Sequence, residues 1–204
     1  MMTWALRVSW ALVLGGLTLG LTLRLPHRWR WGLIWTVMVW TLLGGEWSPA
    51  YGLGLAFGSP SLMAAVLCAV VLLRSWRGQP VGLMNSSAGG RATLILGGIG
   101  VVLGWVLLVD TLALWPPSVY AWGFGFAALA GVALLVLVMW MAGADHPAGQ
   151  RAIGLVALVL VLYVATRLPT GNVWDALLDP WMWVVLQISA LAKSINWIQL
   201  IKHK

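Results

Sequence analysis

Few side chains here are able to carry charge-based chemistry, and they are unevenly spread. Four of the five acids, Glu46, Asp110, Asp175 and Asp179, fall at positions that a membrane topology gathers on one face. Carboxylates converging there, with Arg167 or Arg7 as counter-charge, suit acid–base work, cation binding, or a divalent metal that positions a lipid-linked sugar. Two of the acids also have a plainer local role. Asp179 stands before Pro180 as an N-cap stands before N1, and Asp175 follows Asn172 where a first helical turn welcomes negative charge. Glu46 and Asp110 have no such local explanation, so the candidate outer-face cluster is Glu46, Asp110, Asp175 and Arg167.

Lys193 is the candidate intramembrane charge. It follows Pro180 by 13 residues, about 20 Å along a helix. Ionisable groups at such depth are functional by default. In the alternative, preferred reading the membrane ends near Lys193, whose stem snorkels outward. Ile195, Ile198 and Ile201 then form an interfacial apolar stripe.

Cofactor ligands are scarce. His27, His146 and His203 fall in expected loops or the tail, so none faces a partner in mid-helix as haem ligation needs. Asp145-His146 before Pro147 reads as turn chemistry. Cys68 is the single cysteine, which excludes a disulfide scaffold and a cysteine-built zinc or iron–sulfur site within this chain. No catalytic residue, metal or cofactor is expected.

The elements that position these groups follow from composition. Of 204 residues 61% are hydrophobic and 8% charged, where a soluble domain carries about a quarter charged. Mean hydropathy is +0.93. Lipid is therefore the expected solvent, and the net charge of +7 reports loop orientation rather than a nucleic-acid partner. Charge-free intervals predict an all-α, polytopic integral membrane bundle of about seven transmembrane helices, with six as the alternative count. Their approximate bounds are 4–23, 31–45, 59–74, 92–110, 118–141, 148–166 and 180–201, in one transmembrane domain over 1–204. Some intervals are short, so Trp and snorkelling Arg must complete them. Arg7 before an apolar run resembles a signal sequence, but without a small-residue cleavage motif it reads as an uncleaved span. The Gly-rich segment Gly52 to Gly58 is a candidate re-entrant helix.

Ten of the twelve basic residues, from Arg24, Arg28 and Arg30 to Lys202 and Lys204, fall on one side of this threading. The positive-inside rule makes that side cytoplasmic, which places the N-terminus out, the C-terminus in, and the chain in a cell inner membrane. Most of the sixteen tryptophans lie near helix ends as an aromatic belt, while Trp35 and Trp105 sit deeper, as packing residues, with cavity lining as the alternative. Gly16 with Gly20, Gly100 with Gly104, and Gly123 with Ala127 and Gly131 offer close helix approach. They read as contacts within this bundle, with a dimer seam as the alternative.

Seven helices, an outward N-terminus, a lysine in the last helix and the stretch Val185-Leu-Gln-Ile-Ser-Ala190 before it are similar in outline to microbial rhodopsins. That resemblance implies retinal on the lysine, which wants a nearby carboxylate. No acid lies between Pro180 and the chain end, or between Pro60 and Leu73, so the likeness stays one of topology.

Three functions compete. The preferred one is a non-catalytic subunit or accessory component of a larger membrane complex, with the lipid bilayer and membrane-protein chains as partners. The second is a small transporter or lipid flippase. The third is an intramembrane enzyme acting on a lipid-linked substrate at the outer face through Glu46, Asp110 and Asp175.

Overall fold

The computed structural model describes residues 3–79, 91–142 and 147–202, with the side chains of 91 and 196–202 left out of account. Among these residues every regular element is helical: α1 Trp4–Leu21, α2 His27–Leu42, α3 Pro49–Phe57, α4 Leu62–Trp76, α5 Arg91–Thr111, α6 Val119–Trp122, α7 Phe126–Met141, α8 Pro147–Thr166, α9 Val173–Leu177 and α10 Pro180–Lys202. The polar loop after Gln79, and the turn that holds Asp145 and His146, lie outside the described residues, as does His203.

Local chemistry explains where the helices start. α2 begins at His27, ahead of the expected residue 31, because the Pro26 carbonyl already accepts the Arg30 N–H at 3.1 Å. Arg28 and Arg30 therefore ride in its first turn. α4 begins at Leu62 rather than at Pro60, since Ser61 is the cap and its Oγ accepts the Ala64 N–H at 3.0 Å. α3 covers most of the Gly-rich segment Gly52 to Gly58 that the sequence marks as a candidate re-entrant helix. Pro49 opens it, and the Ser48 hydroxyl donates to Thr41 O at 2.9 Å, tying its start to the end of α2. Gly58 closes it at φ 71°, a backbone setting that favours glycine, and the Gly58 carbonyl accepts the Trp10 indole N–H at 3.0 Å. Nine residues rise only about 14 Å, so α3 does not span a hydrocarbon core of roughly 30 Å.

The expected helix 118–141 is two elements. The turn Gly123-Phe124-Gly125 separates α6 from α7, closed by Gly123 N–H to Tyr120 O at 3.0 Å and Gly125 N–H to Trp122 O at 2.9 Å. The Gly123, Ala127 and Gly131 groove is corrected accordingly. Gly123 is buried in the break, while Ala127 and Gly131 lie exposed on α7.

α1 packs against α2 and α4 around Leu19, Trp31, Ile34 and Leu72. Gly16 admits Cys68 here, where an added Cβ would lie 2.8 Å from its sulfur, whereas Gly20 faces open space. α8 is central and touches α4, α5, α7 and α9, with Leu160, Tyr163, Val173 and Ala176 buried between. α10 lies on α5 at the two glycines singled out in the sequence. A Cβ at Gly100 would lie 2.9 Å from Leu186 Cδ1, and one at Gly104 would overlap the Trp183 indole. That indole donates to Val101 O at 3.1 Å and stacks edge-on against Trp105. Trp35 and Trp105, expected to pack inside, are each 51% exposed, while Trp31 is buried.

Among the described residues three helical stretches, Trp4–Leu21, Ala92–Thr111 and Pro147–Thr166, are long and apolar enough to cross a membrane, and Leu62–Trp76 and Phe126–Met141 are shorter apolar helices. α7 buries none of its 16 residues.

Candidate functional site

The candidate acids are brought together only in part, and the residue that gathers them is Tyr120. Asp110, in the last turn of α5, accepts the Tyr120 backbone N–H at 2.6 Å. Asp175, in the first turn of α9, accepts the Tyr120 hydroxyl at 2.8 Å and the Thr170 hydroxyl on the same oxygen. One tyrosine thus joins carboxylates 65 positions apart in the chain. Partial burial, then the Asp175 carboxylate beside it, raise the Tyr120 hydroxyl pKa above its ordinary value. The phenol is kept protonated, as a donor, in a short helix outside the long apolar ones.

Asn172 locks the same junction from the other side. It is fully buried. Its Nδ2 donates to Tyr120 O at 2.9 Å, and its Oδ1 accepts the Trp174 N–H at 2.9 Å, capping α9. The Trp174 indole donates to Val119 O at 3.0 Å, and the Val173 N–H to Gly123 O at 2.9 Å. The absence of a side chain at Gly123 is what admits Asn172 and Trp174 so closely.

Arg167 stands apart from the acids. Its guanidinium lies over the Tyr163 ring, 5.5 Å from the centroid, and reaches the Tyr163 hydroxyl at 3.5 Å. That hydroxyl donates to Gly171 O, folding the segment after α8 back on itself. Glu46 is exposed in the turn between α2 and α3, outside the Tyr120 junction. Arg7 turns to its own helix, 5.4 Å over Trp4, with its guanidinium beside Gly44 and its buried Nε unpartnered.

Asp179 performs the local role read from the sequence and a second one. Its Oδ1 accepts the Met182 N–H at 2.7 Å, capping α10. Its Oδ2 accepts both the backbone N–H and the hydroxyl of Ser61, at 2.9 and 2.7 Å. Ser61 is fully buried and itself caps α4, so one carboxylate holds the starts of two helices. Lys193 is exposed on α10.

In this geometry Asp110, Asp175 and Asp179 serve as acceptors for backbone and hydroxyl donors. Among the described residues no three His, Cys, Asp or Glu side chains group as a metal site would require. Tyr120, Tyr163, Asn172 and Ser61 are the residues that charge-based reading missed. The available signal was a polar tip on a mostly apolar chain, since only three tyrosines occur in it.

Fold and junction together define a class: a chain whose described elements are all helical, with apolar helices of membrane length, fastened by carboxylate clasps. Comparison with known proteins goes no further, for no family model, no curated protein and no solved structure matches the chain.

Proposed function

We propose that this chain is a multi-pass inner-membrane protein serving as a non-catalytic subunit or accessory component of a larger membrane complex. In this reading α1, α2, α4, α5, α7, α8 and α10 are seven spans, with the N-terminus outside and the C-terminus in the cytoplasm. α2, α4 and α7 rise only about 22–24 Å. Exposed Trp29, Trp76 and Trp140 near their ends then mark the headgroup level, and the bilayer thins to meet them.

The observation that carries the proposal is the amount of helix surface the chain leaves without an internal partner. α7 buries no residue, and only 6% of the most apolar stretch of α5 is buried. Lipid covers apolar side chains well, but it does not use close backbone approach. Ala127 and Gly131, exposed four residues apart on α7, offer such an approach to another helix.

Extraction of native membranes in mild detergent, followed by native mass measurement, is the test. The expected result is recovery with other membrane chains, and loss of them from an Ala127→Leu/Gly131→Leu variant that keeps its helical circular dichroism. A solitary chain that moves solutes or lipids in liposomes would overturn the proposal in favour of a transporter or flippase, with α3 as its broken helix.

A further inference from the structure

At the end of the bundle opposite the Tyr120 junction, α4 and α8 leave a cavity of about 390 Å³ between them. It is lined by Val70, Arg74 and Gln79 from α4 and its end, and by Arg151, Gly154 and Leu155 from α8. We propose that this cavity binds the phosphate headgroup of an anionic phospholipid, with Arg74 and Arg151 as its ligands.

Charge is the first argument. Two guanidinium groups from different helices face one space, and among the described residues no acid lines it. Arg74 is half-buried and Arg151 exposed, and like charges that face one space repel each other. A phosphate relieves both, because each guanidinium matches its oxygens in a two-bond fork. Gln79 adds an amide donor to the same lining.

The order of the lining separates a lipid from a free anion. α4 ends here and α8 begins here, so the two helices run in opposite directions. Val70 precedes Arg74 by four residues, and Gly154 and Leu155 follow Arg151 by three and four. On both helices the apolar lining therefore lies one turn further into the bundle than the arginine. A charged mouth over an apolar floor is the sequence of a headgroup followed by acyl carbons. The volume agrees: it lies within the range of about 300–1,000 Å³ that accommodates organic ligands, far above one phosphate. Gly154 keeps the floor open, since an added Cβ would meet nothing within 4 Å. The proposal rests on the chain lying in a bilayer, as basic pockets between helices recognise such headgroups there. It needs no partner chain.

The test uses the full chain in nanodiscs of phosphatidylcholine with a minor share of phosphatidylglycerol, with retained lipid counted by native mass spectrometry. Wild type should retain phosphatidylglycerol over phosphatidylcholine by about tenfold, the effect of one charge-assisted bond. Arg74→Gln/Arg151→Gln should abolish the preference. Gly154→Leu, which keeps both charges and fills the floor, should reduce it at unchanged thermal stability. Arg24→Gln/Arg28→Gln, equal in charge loss but away from the cavity, should leave it intact. An equal loss in that control, or an unchanged preference in both cavity variants, would overturn the proposal. So would full displacement by millimolar inorganic phosphate, which would make the ligand a soluble anion.

Discussion

Gly123→Ala is expected to destabilise the protein by about 3 kcal/mol, the largest effect of any one-methyl change considered. The backbone at Gly123 is right-handed helical, φ −62° and ψ −18°, so alanine suffers no conformational penalty there. The cost comes from what the methyl meets. It overlaps the Asn172 side-chain amide and the Trp174 ring. Overpacking of this kind costs about 1–3 kcal/mol. Asn172 cannot yield freely, because it is fully buried and serves both Tyr120 O and the Trp174 N–H. Moving it orphans a buried group at a further ~1–3 kcal/mol. Equilibrium unfolding in mixed micelles measures this, with Gly131→Ala as the comparison, since a Cβ there meets nothing within 4 Å. Equal stability of the two variants would contradict the clasp.

The second large effect is at Asp179. Its replacement by alanine removes the cap on Met182 N–H and the single oxygen that accepts both Ser61 donors. A lost N-cap costs about 1 kcal/mol, and the stranded, fully buried Ser61 donors add about 1–3 kcal/mol. A total near 3 kcal/mol follows. Asp179→Asn distinguishes the two roles. Asparagine caps a helix as well as aspartate, but its amide nitrogen turns a donor toward the remaining donor set. Asn should therefore lose roughly half as much as Ala. If Asn matched wild type, the bond to Ser61 would contribute nothing, and only the local cap would stand.

These two sites mark where sequence reading reaches and where it stops. Asp179-Pro180 was legible as a helix start because an N-cap and its N1 proline are neighbours in the chain. The other oxygen of the same carboxylate reaches Ser61, 118 positions away, and no local pattern records that. Asn172 and Asp175 were legible as the opening of a helical turn for the same local reason. Their bonds to Tyr120 were not, since these depend on how α6 folds back over α9. The break at Gly123 was hidden by hydropathy, because Ser118 to Met141 is one charge-free run. Its cause is tertiary, in that Asn172 and Val173 hydrogen-bond to the Tyr120 and Gly123 carbonyls. α3 was legible as a candidate re-entrant helix, but its bounds were not. Glycines at 52 and 54 lower helix propensity, and the ties that fix its ends come from α2 and from Trp10. Of the small-residue pairs, Gly100 with Gly104 lies under α10, while in the other sets Gly16 and Gly123 lie against neighbours and Gly20, Ala127 and Gly131 face outward. Four-residue spacing identifies a face that admits close approach, not which helix occupies it.

In the proposed threading, the basic end of a charge-sorted helical bundle faces the inside of a membrane. Single cysteines in a Cys68→Ser background, reacted with a membrane-impermeant maleimide, test it most directly. Leu114 lies between α5 and α6 on the Tyr120 side, and Leu23 between α1 and α2 on the arginine side, both exposed. Leu114→Cys should label in intact cells, and Leu23→Cys only after the membrane is opened. Labelling of both in intact cells, or of Leu23→Cys alone, would contradict the threading.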